Sequence, residues 1–173
     1  MRLVVPGILV FSIIICGDAS GEPHCSYGDS VLEDSSGYSS FRGIGLASRP
    51  EDVRRRARAL GFDSDTSYYV GSDTEISSIN IYKDWEEVGG ANFDRHGKML
   101  RLSLKDRFFC DAPIFVRRFA EDVFERYGVR TEKVDDDVCF QDVTCFKGVS
   151  KFGERFLIMR IGTTAELYVR KQE

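Results

Sequence analysis

The sequence predicts an α+β fold in which two helices pack on antiparallel β-sheet, and three observations predict it. Two amphipathic stretches begin near Ser48 and Asp111. Each is followed by several short runs in which apolar and polar residues alternate. Glycine punctuates the gaps between those runs, as tight connections require. With 173 residues, 42% of them hydrophobic and 30% charged, the composition is that of a globular chain rather than a disordered or fibrous one.

The first 21 residues read as a signal peptide. Met1-Arg2 precede an apolar run over residues 3–15, too short for the roughly 20 residues that span a bilayer. Small residues follow at Gly17, Ala19, Ser20 and Gly21, which places cleavage after Ala19 or Gly21. The expected location is therefore exported, periplasmic or secreted, with no stable membrane span after cleavage. Cys16 follows Ile15 rather than a small residue, which argues against a lipid anchor there. Residues 22–40 are rich in Ser, Gly and Asp and read as an extended N-terminal arm, leaving 41–173 as the folded domain.

Within that domain Ser48-Arg49-Pro50-Glu51 carries a cap, an early proline and a Glu three positions after the cap. Val53, Ala57 and Leu60 then line one helical face, and Gly61 closes the helix. Strand-like runs occupy 75–83, with Ile76, Ile79 and Ile81, then 86–93, then 98–105, where Leu100, Leu102 and Leu104 alternate with Arg101 and Ser103. Asp94-Arg95-His96-Gly97 is the turn between the last two. Asp111-Ala112-Pro113 reads as the start of a second helix. Its stripe of Phe115, Val116, Phe119, Ala120, Val123, Phe124 and Tyr127, ended by Gly128, is the strongest periodic signal in the chain. Runs at 129–134, 138–146, 154–161 and 165–170 form a second antiparallel set. Ser48-x-Pro50-x-x-Val53-Arg54-Arg55 matches Asp111-x-Pro113-x-x-Val116-Arg117-Arg118, so two related helix-plus-meander units, 41–106 and 111–171, are expected.

Cys25, Cys110, Cys139 and Cys145 remain after the leader. An even number in an exported chain implies two disulfides, for which three pairings exist. The short spacing of Cys139 and Cys145 suits a bridged turn and leaves Cys25 for Cys110. No CxxC pair occurs, and neither His24 nor His96 has zinc-finger spacing, so neither a metal nor a cofactor is expected.

With 24 basic and 28 acidic residues the net charge is −4, the wrong sign for engaging nucleic-acid phosphates. No nucleophile elbow, phosphate loop, HExxH or dinucleotide fingerprint is present. His96 reads as a solvated turn residue. Asp135-Asp136-Asp137, with Glu132 nearby, lacks the ligand spacing of a calcium loop. The candidate binding residues are of two kinds. Arg54, Arg55 and Arg58, with Arg56, form a basic helix face that suits an acidic partner or anionic headgroups, or is simply that helix's wet side. Trp85 lies in the polar segment Lys83-Asp-Trp-Glu-Glu87 with Tyr82 beside it and Tyr68 and Tyr69 near in sequence. It reads either as an anchor for a protein partner or as a lid on a small core.

Phe41-Arg42-Gly43-Ile44-Gly45-Leu46-Ala47-Ser48 followed by Val53, the hairpin Phe93-Asp94-x-x-Gly97-Lys98, and Arg126-Tyr127-Gly128 resemble small exported bacterial helix-then-meander proteins. The shapes they are similar to are the SmpA/OmlA outer-membrane assembly lipoproteins and the beta-lactamase-inhibitor-protein fold. The likeness covers residues 41–171, and departs from the pattern at Leu46-Ala47, where Gly-Met is usual, and in lacking a lipobox. It implies a non-catalytic scaffold whose sheet face or loops bind a protein partner, as inhibitor, assembly factor or immunity-type protein. The alternative is a small secreted hydrolase whose carboxylates no flanking signature marks. The oligomeric state is not legible.

Overall fold

The computed structural model describes residues 24–27, 37–132 and 144–171. A two-stranded hairpin, β1 (Ser40–Phe41) and β2 (Ile44–Gly45), leads into helix α1 (Pro50–Ala59) and four strands: β3 (Asp63–Tyr68), β4 (Ile76–Lys83), β5 (Glu86–Phe93) and β6 (Met99–Lys105). A single-turn helix α2 (Asp106–Phe109) and helix α3 (Val116–Tyr127) follow. The chain then forms β7 (Arg130–Glu132), β8 (Cys145–Val149), β9 (Glu154–Ile161) and β10 (Thr164–Lys171).

The last eight strands make one antiparallel sheet in the order β3-β4-β5-β6-β10-β9-β8-β7. Two meanders thus meet along β6 and β10, whose register runs from Glu166 opposite Lys105 to Arg170 opposite Arg101. Both longer helices lie on one face: α1 over β3 and β4, α3 over β8, β9 and β10. Period-2 alternation turns Ile79, Ile81, Ala91, Leu102, Leu104, Phe156, Ile158, Leu167 and Val169 toward them, all at most 1% exposed. Val53 and Ala57 of α1, and Phe119, Ala120 and Val123 of α3, complete the core. Between the helices Phe108 and Phe109 of α2 join Phe41, Phe119 and Tyr127 in an aromatic cluster. Ring centroids there lie 5.1 Å apart for Phe108–Phe109 and 4.5 Å for Phe41–Tyr127.

Several boundaries differ from the sequence reading. Ser48 does not cap α1: its Oγ accepts the Gly45 N–H at 3.1 Å and closes the preceding turn. Arg49 is the cap residue, with its N–H donated to Asp52. The second helix starts at Val116 rather than directly after Asp111, and the Ile114 N–H, the one a cap at Asp111 would bind, goes instead to the Asp106 carboxylate at 2.9 Å. Pro50 therefore opens α1 while Pro113 stands outside α3, and the two motifs do not superpose as helix starts. β8 runs over Cys145–Val149, past the end of the expected 138–146 run, of which residues 138–143 lie outside the described residues. Gly148 belongs to that ladder because a Cβ there would meet Val129 Cγ1 at 2.3 Å and the Arg130 carbonyl at 2.6 Å.

Two ties fasten the N-terminal segments. Cys25 and Cys110 form a disulfide, flanked by hydrogen bonds from the Ser26 N–H to the Phe109 carbonyl and from the Asp111 N–H to the His24 carbonyl. Cys145 is also disulfide-bonded, while Cys139, its expected partner, lies outside the described residues. Farther on, the fully buried Glu154 accepts the Ser39 N–H at 3.0 Å and the Ser150 hydroxyl at 2.9 Å. Glu154→Ala leaves both donors without an acceptor and is expected to cost about 3 kcal/mol in urea unfolding, with Glu154→Gln losing less. A loss below about 1 kcal/mol would show that water takes over the role of the carboxylate. Among the described residues no helix is long and apolar enough to cross a membrane.

Candidate functional site

The helices cover one face of the sheet and leave the other open, an arrangement that antiparallel sheets tolerate when the second face is polar. Register defines that open face row by row. One row runs Ser78, Asn92, Arg101, Arg170, Arg155, Val149, Arg130 from β4 to β7. The next runs Asn80, Gly90, Ser103, Tyr168, Leu157, Lys147. Beyond it, toward the opposite end of the strands, come Lys105, Glu166 and Met159. The middle is therefore half-buried and partly apolar, with Tyr168, Leu157 and Met159, and one margin is basic.

Arg101, Arg170 and Arg155 are direct cross-strand neighbours on three adjacent strands, and all three are exposed. Like charges directly opposite one another destabilise a sheet. Among the described residues no carboxylate forms an ion pair with any of them. Arg101 lies over the Tyr168 ring, 5.7 Å from its centroid. Tyr168 in turn donates its hydroxyl to Glu166 at 2.6 Å, and burial together with that carboxylate pushes its ionisation well above the usual tyrosine range.

At the far end of the strands β4 and β5 are joined by a two-residue turn, Asp84-Trp85, with φ of 51° and 67°. Two central residues at positive φ match the twist of a hairpin but favour Asn and Gly; a bulky side chain there is strained by about 1–3 kcal/mol. Trp85 is nevertheless 96% exposed, so it does not lid the core. The base of the turn is braced. Arg107 pairs with Glu86, and Lys83 lies 3.9 Å from Asp111, tying the hairpin to α2 and the segment after it. Tyr82 stands beside the turn on the open face, half-buried and opposite Asp63 and Glu87. Tyr68 and Tyr69, near in sequence, sit at the other end of β4, where the Tyr69 hydroxyl donates to the Phe93 carbonyl. Exposed apolar groups share the Trp85 end: Ile161 at the close of β9, and Phe115, 89% exposed, in a groove with Cys25, Pro113, Ile114, Arg118, Asp122 and Thr163.

The basic helix face is separate from all this. Val53 and Ala57 are buried against the sheet, which turns Arg54, Arg55 and Arg58 outward, away from the open face, around a shallow hollow shared with Glu51 and Ala59. Arg55 is paired with Asp52 at 2.5 Å. Arg56, from the same cluster, donates to the Arg42 carbonyl, while Arg42 donates to the Phe108 carbonyl and lies over the Phe62 and Phe108 rings. Burial first, then the neighbouring Arg56 charge, lowers the Arg42 pKa. The structure thus places Trp85 and Tyr82 at the same end of the sheet and keeps Arg54, Arg55 and Arg58 apart from them.

Among the described residues the two buried carboxylates, Asp106 and Glu154, are both held by backbone N–H donors. His96 is exposed on its turn, and His24 lies 3.8 Å from Asp111 at the surface. Among the described residues no group of three or more His, Cys, Asp or Glu is placed to hold a metal ion; Asp135, Asp136 and Asp137 lie outside them. The arginine row was missed in the sequence. Each arginine occupies the polar parity of its own strand, but their adjacency depends on which strands pair. Comparison with protein-family models, curated proteins and solved structures finds no match to the chain.

Proposed function

We propose that the chain is an exported, non-catalytic protein-binding module of the cell envelope or secreted space, and that its contact surface is the open sheet face with the Trp85 hairpin. Inhibitor, assembly-factor and immunity-type roles all fit such a module. The observation that carries the reading is Trp85. A large aromatic held at positive φ, braced at its base and left bare contributes nothing to the core. Strain of this kind persists where function requires it, and exposed tryptophans are the residues that most often dominate protein contacts. The Cys25–Cys110 disulfide accords with an oxidising compartment.

A photo-reactive amino acid at position 85 of the mature chain, irradiated in the native envelope fraction, is expected to give a discrete protein adduct. The same group at position 54 is expected to give none. Equal labelling from both positions, or none from either, overturns the assignment of the surface. Trp85→Gly supplies a second measure. It should raise the unfolding free energy by about 1 kcal/mol by relieving the strained turn and weaken partner capture about 30-fold, a hot-spot effect of about 2 kcal/mol. A destabilised variant would mean that the indole has a structural role.

A further inference from the structure

We infer that the row Arg101, Arg170 and Arg155, extended across Val149 to Arg130, receives an acidic segment of the partner protein. This inference rests on the protein-binding reading above and names the chemistry of the partner. Three arginines in register on β6, β10 and β9, without ion-pair partners among the described residues, repel one another in the free protein. Only an anion supplied from outside turns that repulsion into attraction. The arrangement is the more pointed because the chain as a whole carries a net charge of −4.

Geometry narrows the anion. Neighbouring strands stand about 4.8 Å apart, so the guanidinium groups root at that spacing in a line running across the strands. Carboxylates at i, i+3/i+4 and i+7 on one face of a helix repeat about every 5–6 Å, and each meets one guanidinium through paired N–H donors. The surroundings favour polypeptide over a bare phosphate or a bilayer. Val149 lies in the row itself, and Tyr168 and Leu157 form the adjoining row, so apolar side chains flanking the acids have a seat.

The test uses the oxidised mature chain. Its probe is a synthetic helical peptide with glutamates at i, i+4 and i+7 flanked by leucines, alongside a copy with glutamine for each glutamate. The expected result is binding of the acidic peptide only, weakened by raising the salt concentration and weakened at least tenfold by Arg155→Gln/Arg170→Gln. Relief of the repulsion should leave the urea midpoint of that double variant unchanged or higher. Equal binding by the glutamine copy, an unchanged affinity in the double variant, or a lowered midpoint overturns the inference. So does equally tight, arginine-dependent binding of phosphatidylglycerol vesicles or of a single-stranded DNA oligomer, which would assign the row to lipid or nucleic acid. Photo-labelling from position 85 that persists undiminished in the double variant overturns the row alone and leaves the protein-binding reading standing. Its absence from the wild-type chain overturns that reading and this inference with it.

Discussion

Replacing both Cys25 and Cys110 by serine is expected to lower the unfolding free energy by about 4.5 kcal/mol, the value a loop-entropy argument assigns to a bridge across roughly 85 residues. The two cysteines are separated by 85 positions in the chain, so the reduced unfolded state gains the freedom of nearly half the protein. Local contacts add to this. Without the bridge the strap of residues 24–27 keeps, among the described residues, its pair of backbone hydrogen bonds, the approach of His24 to Asp111 and the contacts of Tyr27. That ring packs 5.2 Å from Phe109, and its carbonyl accepts the Tyr127 hydroxyl at 3.0 Å. For a domain of this size the loss corresponds to about 10–15 °C in Tm. Thermal unfolding of the double variant measures it, and hydrogen exchange at Ser26 and Asp111 locates it. A drop of less than about 1 kcal/mol would mean that the strap is held by packing and that the disulfide is incidental.

How much of this was legible in the sequence depends on whether the deciding contacts are local. The strands Ile76–Lys83, Met99–Lys105, Glu154–Ile161 and Thr164–Lys171 were readable because one of their faces is buried and alternation writes that face into the sequence. The helix Val116–Tyr127 announced itself through its wide apolar stripe. The strand Asp63–Tyr68 did not, since Asp-Ser-Asp-Thr-Ser-Tyr carries no apolar pattern. Pairing with β4 makes it a strand, and its polarity suits an edge that must not recruit another chain. The displaced start of α3 has the same kind of cause: a carboxylate eight residues away intercepts the backbone N–H that a cap at Asp111 would have bound. The site divides likewise. Trp85 stood out by residue type in a polar turn, and the outward face of Arg54, Arg55 and Arg58 followed from helical spacing. The Arg101, Arg170 and Arg155 row required knowledge that β6 lies beside β10, a pairing of strands more than 60 residues apart that nothing local encodes.

That intercepting carboxylate leads to the second large effect, because Asp106→Ala should cost about 4 kcal/mol. Asp106 is wholly buried. Its Oδ1 accepts the Arg107 N–H at 2.8 Å, its Oδ2 accepts the Ile114 N–H at 2.9 Å, and the Ala165 N–H is also directed at it. One side chain therefore fastens the start of α2, the approach to α3 and the start of β10, and alanine leaves three backbone donors, two of them part-buried, without their acceptor at about 1–3 kcal/mol each before relaxation. The pH dependence separates this role from that of an ordinary surface carboxylate. Burial, only partly offset by those N–H donors, raises the Asp106 pKa above the usual carboxylate range. The native state then keeps a proton that the unfolded chain has already lost. The contribution of Asp106 to stability is therefore largest in acid, below the unfolded-state pKa, and declines as pH rises through the raised folded-state value. Asparagine does not titrate, so the stability deficit of Asp106→Asn relative to the wild-type chain should shrink between about pH 4 and pH 7. Urea unfolding of the two proteins across that range measures the difference directly, with the other titrating groups cancelling. A deficit that widens with pH would mean that the three N–H donors outweigh desolvation and hold the carboxylate charged.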